Sequence, residues 1–305
     1  RILMVAWHCP TRAHAGGLRM LDLYDYLRRV APHARLDLFA VKKPEIDWAY
    51  DDLKSIFDNI YFTEHNDLSV KALNALRVDR MVYDVVDFQF LEACHDLDSY
   101  RAVGRKLIFT PMELLSRAAH IERQAPGRIA TAQRLAEQMD ISRRELAVCR
   151  SVDEVVCVSK PDADYLCSVT GLSTVTALET GVSELEFGDV EPANETSRLS
   201  KKVVFVAYFG SQTNVEALDW YLAEVHPRIK AAIPDYQIDV VGRGDLSKYR
   251  ALDDPSINLI GEVPSVGPYI ARAAVGISPA LSGAGFRGKI NQYAMLGLAT
   301  VASPI

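Results

Sequence analysis

Apolar residues in this chain come in short unbroken runs, each closed by a turn and followed by a stretch with helical spacing. Ile2-Leu3-Met4-Val5-Ala6 is the first run, and its lack of polar alternation predicts a strand buried on both faces of a parallel sheet. A loop from His8 to Gly17 follows, after which Leu18, Leu21, Tyr24 and Leu27 recur as one face of a helix. Leu36-Asp37-Leu38-Phe39-Ala40-Val41 is the second run. Strand, glycine-bearing loop, helix and strand in that order open a doubly wound α/β sheet. Further strands are expected at 60–62, 83–88, 106–110, 154–159 and 174–178, with a long helix over about 128–150. Ser159 and Pro161 suit the cap and first turn of another helix.

Periodicity fails over 183–201, where polar residues dominate. The pattern then restarts, with strands expected at 202–207, 237–241, 257–260, 275–278 and 299–302 and helices over 214–233 and 290–296. We therefore read two α/β domains, 1–185 and 202–305, joined by a linker at 186–201. An open sheet of this kind ordinarily continues past such a strand, so further residues are expected beyond Ile305.

Composition refines this picture. A chain of 305 residues suits two domains, and 49% hydrophobic residues are enough to fill two cores. The net charge of −6 argues against a nucleic-acid partner. Cys9, Cys94, Cys149, Cys157 and Cys167 are scattered, with no C-x-x-C pair, as in a reduced cytoplasmic protein without a structural metal. No apolar run reaches the roughly 18 residues that cross a bilayer. A soluble protein is expected, with peripheral contact to the inner face of the membrane left open.

One segment concentrates chemistry. Between the strand ending at Ser278 and the helix from Ile290 lie Gly283, Gly285 and Gly288, with Arg287 and Lys289 beside them. Backbone N–H groups of such a loop can converge on an anion, and a helix N-terminus adds partial positive charge. Two cations at the same place fit a diphosphate. An ordinary strand-to-helix turn with two solvated cations is the alternative, because glycine patterns are common.

Pro279, Gly283, Gly285, Lys289, Gln292, Ala294, Gly297, Ala299, Thr300 and Val301 follow the order P-x-x-x-G-x-G-x-x-x-K-x-x-E-x-x-A-x-G-x-P-V-V. This resembles the retaining, family-4-type glycosyltransferases of the GT-B fold (glycosyl transferases group 1), in variants with a glycine-rich loop. Upstream, Phe205 to Asn214 with Gly210 is similar to that family's F-x-G-x-x-x-x-x-N loop. Val241-Gly242-Arg243-Gly244 is similar to its V-G-x-G, and Gly261-Glu262-Val263 to its G-x-V. In the first half, Pro10 with Gly16-Gly17, Tyr83–Val86, Val156–Ser159 and Glu179–Val182 resemble family segments more loosely. Glu179–Val182 lacks the Asn and Asp of the family's P-N-G-V-D.

The resemblance implies two Rossmann-like domains facing a cleft, with an N-terminal acceptor domain and a C-terminal nucleotide-sugar domain. It implies transfer of a sugar from a nucleoside-diphosphate sugar to a glycan or lipid-linked acceptor, with retention, in polysaccharide or cell-surface glycan synthesis. Arg287, Lys289 and His14 are the expected catalytic residues. Donor contacts are expected from Gly16, Gly17, Gly210, Asn214, Gly242, Arg243, Glu262, Gly283, Ala284, Gly285, Phe286 and Gln292, and acceptor contacts from Glu113 and His120. Ala284 and Gln292 stand where the family has acids; Gln292 can still bond a hydroxyl but supplies no charge.

His8, just after the first strand, is a further acid–base candidate, and Glu122 a further acceptor ligand. Asp96-Leu97-Asp98 and Asp162-Ala163-Asp164 have the spacing of a metal-binding pair. Asp162 and Asp164, however, fall in a helix's first turn, where acids complement the dipole. We read both pairs as structural and expect no cofactor and no metal. A sugar-nucleotide epimerase on the same scaffold, or a non-catalytic sugar-nucleotide-binding domain, are the competing readings.

Overall fold

A computed structural model of the chain describes all residues except 12–14, 43–45, 125–131, 183–186, 188, 197–199, 283–286 and 304–305, and omits the side chains of 46–50. The described residues form two compact units, Arg1–Thr180 and Gly181–Gly283 with Arg287–Ile305.

The first unit is built on one parallel sheet. Its strands are β1 (Ile2–Ala6), β2 (Leu36–Val41), β3 (Asn59–Thr63), β4 (Tyr83–Gln89), β5 (Gly104–Thr110), β6 (Glu154–Cys157) and β7 (Val175–Ala177). They run in the order β3-β2-β1-β4-β5-β6-β7. β1 pairs with β2 on one side and β4 on the other, so the winding reverses between β1 and β4. Every residue of β2 is buried, which is why its sequence shows no alternation. Phe39, Phe88 and Phe109 fill one face; Leu36, Leu38 and Met4 pack on Met20, Leu21 and Tyr24 of helix Ala15–Val30 on the other.

The second unit repeats the plan with β8 (Lys202–Val206), β9 (Gln237–Val241), β10 (Ile257–Gly261), β11 (Val275–Ser278) and β12 (Thr300–Ala302), in the order β10-β9-β8-β11-β12. Phe187, from the polar segment between the two patterns, is buried with Ile270 and Leu296, and its ring lies against Gly267. The Ala193 N–H donates to the Leu296 carbonyl at 2.8 Å.

Two local expectations need correction. Val158 and Ser159 leave β6 early because Ser159 turns out of the strand. Its Oγ accepts the Asp162 N–H at 3.2 Å and caps helix Lys160–Thr170. The helix expected over 214–233 is three pieces: Gln212–Trp220, a π-helical turn Tyr221–Val225, and His226–Ala232. Pro227 explains the break. It has no N–H, and its ring crowds the carbonyl four residues back, so the ladder widens and the His226 N–H bonds the Tyr221 carbonyl.

In the second sheet the β8–β11 ladder pairs Val203 with Val275 and Val204 with Gly276, then stops. Beyond it the Val206 N–H donates to the Tyr293 hydroxyl at 3.0 Å, and that hydroxyl donates to the Ile277 carbonyl at 3.3 Å. Gly276 has to be bare there, since a Cβ would stand 2.5 Å from the Tyr293 ring. Tyr293 belongs to helix Gly288–Met295, so this side chain pins the helix where the winding reverses. Tyr293→Phe keeps the ring but leaves the buried Val206 N–H unpaired. Urea denaturation should show a loss of about 1–3 kcal/mol, and an unchanged midpoint would refute the pinning role.

Candidate functional site

Ligands of open α/β sheets bind beyond the carboxyl ends of the strands, where the winding reverses. In the second unit that point lies between β8 and β11. Helix Gly288–Met295 starts there and brings Lys289. The Lys289 Nζ donates to Asn214 Oδ1 at 3.1 Å and stands 4.7 Å from the Phe205 ring centroid. The Asn214 amide in turn donates to the Tyr208 carbonyl at 2.9 Å, which fixes which face of Asn214 meets the lysine. The Arg287 guanidinium bonds the Ser282 carbonyl at 3.0 Å.

Lys289 is half-buried, and among the described residues no carboxylate forms an ion pair with its ammonium. Burial, together with repulsion from Arg287, pushes its pKa down to about 7. Near neutral pH, therefore, Lys289 sits between its charged and neutral forms, and an anion would restore the charge.

The neighbouring loops depend on bare backbone. Gly242 has φ +136°, and a Cβ there would stand 1.8 Å from the Ala207 carbonyl oxygen. Gly244, with φ +131°, would meet the Phe209 backbone at 2.6 Å. These glycines let the turn after β9 lie on the turn after β8, where the Phe209 N–H donates to the Arg243 carbonyl at 2.7 Å. Gly210 carries the Tyr208 ring, whose atoms would approach a Cβ to 2.3 Å. Arg243 is half-buried, whereas Glu262 is exposed just after β10. Gln292, half-buried, lies one helical turn beyond Lys289.

The structure thus brings together Asn214, Lys289, Gly210, Gly242 and Arg243 at the carboxyl ends of β8 and β9. Gly283, Ala284, Gly285 and Phe286 lie outside the described residues, as does His14. Phe205 and Tyr293 were not foreseen. Each sits inside an apolar stretch, and nothing in the sequence marks a core aromatic as the support of a cation or of a helix.

In the first unit, Gly16 and Gly17 open helix Ala15–Val30. Beneath them Asp87, buried, accepts from Tyr24 at 2.8 Å, Gln89 at 2.6 Å and Thr110 at 3.0 Å; its carboxyl pKa is raised, burial outweighing these bonds. Arg19 is buried as well and reaches the Thr180 hydroxyl at 2.9 Å and the Leu178 carbonyl at 2.7 Å, tying the helix to the loop after β7. Glu113 is exposed in the turn after β5. His120 lies further along, its ring 5.4 Å from that of Tyr165 and its Nε2 3.0 Å from the Gln124 amide. Glu122 pairs with Arg134 and accepts from Gln138 at 2.6 Å, which ties two helices together.

Three of the four aspartates in the Asp-x-Asp strings have protein partners. Asp162 pairs with Arg117 at 2.9 Å, Asp164 with Lys160 at 2.8 Å, and Asp96 accepts the Val70 N–H at 2.9 Å. Among the described residues no group of three or more His, Cys, Asp and Glu side chains could hold a metal ion. Among them, too, no helix is long and apolar enough to cross a membrane.

The arrangement has known counterparts. The chain is similar in structure to Anabaena HepE in complex with UDP and glucose, with a TM-score of 0.67 at 9% identity over 99% of this chain and 80% of that one. The fold is GT-B. TarM of S. aureus matches with a TM-score of 0.65 at 7% identity over 100% of this chain and 85% of that one. The lipopolysaccharide outer core galactosyltransferase WaaB matches at 0.63 and 14%, over 99% and 80%. Residues 200–305, which span the second sheet, match the family model of glycosyl transferases group 1. Among curated proteins no sequence match is found.

The lysine's position has a measurable consequence. An ammonium whose pKa falls on folding costs stability most below about pH 7, and the cost fades as pH rises towards the unfolded value. Stability should therefore rise with pH across that window. Lys289→Met should stabilise the ligand-free protein at pH 7 by on the order of 1–2 kcal/mol, less than full linkage because the side chain is only half-buried. It should also flatten the pH dependence. Denaturant melts at several pH values between 6 and 10 test both, and a destabilised variant at pH 7 would contradict the assignment.

Proposed function

We propose that this chain is a glycosyltransferase that moves a sugar from a nucleoside-diphosphate sugar to a glycan or lipid-linked acceptor, with retention of configuration and without a metal. The observation that carries the proposal is the half-buried Lys289 ammonium, held by Asn214 at the reversal point of the second sheet and, among the described residues, lacking an acidic partner. Charge develops on the leaving diphosphate as the sugar–oxygen bond breaks, and cations placed in advance beside it lower that barrier. Lys289 and Arg287 are those cations, and the helix dipole adds to them. The acceptor proton passes to the leaving phosphate, so no protein nucleophile is required.

In the first unit one helix start is taken by an acid of the chain itself. Glu145 is buried and accepts the Leu115 and Ser116 N–H groups at 2.9 and 2.8 Å, at the start of helix Leu115–Gln124. This supports an acceptor role for the first unit, with Glu113 and His120 as its contacts. Synthesis of polysaccharide or cell-surface glycan, at the inner face of the membrane, is the setting we propose. HepE and TarM have been seen with UDP, which makes UDP the first nucleotide to test.

A second reading rests on Gln292. An amide where the resembling family has an acid favours nucleotide-sugar binding without transfer. Release of UDP from UDP-glucose separates the two readings, and Gln292→Glu should keep or strengthen donor binding.

Calorimetry of UDP binding tests the donor site. Lys289→Ala should weaken binding by about 1.5–3 kcal/mol, the range for a charge-assisted hydrogen bond. UDP should also draw a proton onto Lys289. Enthalpies measured at pH 8 in buffers of different ionisation heat should therefore reveal proton uptake, falling away at pH 6, and affinity should decline as pH rises above about 7. Unchanged affinity in the variant would sink the donor site.

A further inference from the structure

Phe90 directly follows β4, beside β1 at the reversal point of the first sheet, and its backbone has φ 74° and ψ 151°. Side chains are rarely found there, and holding one costs free energy. The surroundings over-determine it: the Phe90 N–H donates to the Thr110 carbonyl at 3.3 Å, and its carbonyl accepts the Ala93 N–H at 3.2 Å.

What the strain achieves is the direction of the ring. Phe90 Cζ lies so near Gly16 that a Cβ there would approach it to 2.9 Å. The same ring meets His8 edge-on, with centroids 4.8 Å apart. His8 and Gly16 are the two ends of the segment that leads from β1 into helix Ala15–Val30. One side chain therefore touches both. Simple core filling would not need a strained backbone, since a residue of ordinary φ can bury an apolar ring as well.

We propose that Phe90 is a positioning residue: its ring braces His8 and Gly16 and so sets these two residues, which flank the connection between β1 and helix Ala15–Val30, for the transfer reaction. This rests on the transfer reading above. It predicts that order at residues 16–20, the environment of His8 and the turnover number depend on the Phe90 ring.

Phe90→Leu keeps apolar bulk and removes the ring; Phe90→Tyr keeps the ring. Deuterium exchange of the 16–20 amides, the His8 ring proton shift in 13C-histidine-labelled protein, and hydrolysis of UDP-glucose with water as acceptor are the readouts. In Phe90→Leu, exchange at 16–20 should rise at least tenfold, His8 should move towards a free imidazole, and kcat should fall. Phe90→Tyr should restore all three. Wild-type exchange, His8 shift and kcat in Phe90→Leu would overturn the proposal. Gly16→Ala offers an independent approach: it should lower Tm in the wild type and much less in Phe90→Leu, and equal losses in both backgrounds would also overturn it. A wild-type chain that neither binds UDP nor turns over UDP-glucose would sink the transfer reading instead, and the exchange and Tm results would still decide the role of Phe90.

Discussion

The second unit depends on the place where β8 and β11 stop pairing. Parallel strands diverge at a reversal point, and divergence leaves backbone groups without strand partners. Here Tyr293 fills the gap: its hydroxyl takes the Val206 N–H and gives its proton to a carbonyl of β11. A buried phenol suits this task because it donates and accepts through one atom while its ring fills volume against Gly276. The consequence for function is positional. Tyr293 is four residues beyond Lys289, one turn of the same helix, so the bond that repairs the sheet also fixes the height and rotation of the lysine.

That lysine is held at a cost. Desolvation and Arg287 both oppose its charge, and only Asn214 and the face of Phe205 favour it. Neither neighbour carries a full negative charge, so the balance stays short by roughly what an anionic ligand would supply. A carboxylate in place of Asn214 would relieve the lysine and also compete with a diphosphate. Local instability in the ligand-free state and affinity for an anion are thus the same physical fact seen from two sides.

Much of this was legible in the sequence. Strands buried on both faces appear as continuous apolar runs, and the twelve strands among the described residues lie within two residues of the ranges expected from the sequence. Gly242 and Gly244 were visible because a turn with positive φ selects glycine. The strain at Phe90 was hidden, since the residue that bears it is not glycine. The π-helical turn was missed although Pro227 was in plain sight, because amphipathic spacing survives a widened ladder. Least visible was a device shared by the two units. Asp37 of β2 accepts from Asn59 of β3, and Asp239 of β9 accepts from Asn258 of β10, each at 2.8 Å and each beside an arginine, Arg35 or Arg272. The same buried clamp joins the second and third strands of both sheets, yet single polar residues within apolar runs give no repeat that periodicity can detect.

The clamps make the two units comparable, and the comparison bears on which of them receives an anion. Both bring helix starts to the carboxyl ends of their strands, where backbone N–H groups attract negative charge. In the first unit the protein supplies that charge itself. Glu145 takes two N–H groups at one helix start, and Ser159 caps the next, where Asp162 pairs with Arg117. In the second unit the helix after β11 carries Lys289, with the Asn214 amide and the Phe205 ring as partners and, among the described residues, no carboxylate in an ion pair with it. An overall charge of −6 hides this contrast, because it sums over surfaces that never meet the site. The local inventory differs: two helix starts of the first unit draw on Glu145 and Ser159, whereas Lys289 of the second unit has an amide and an aromatic face beside it.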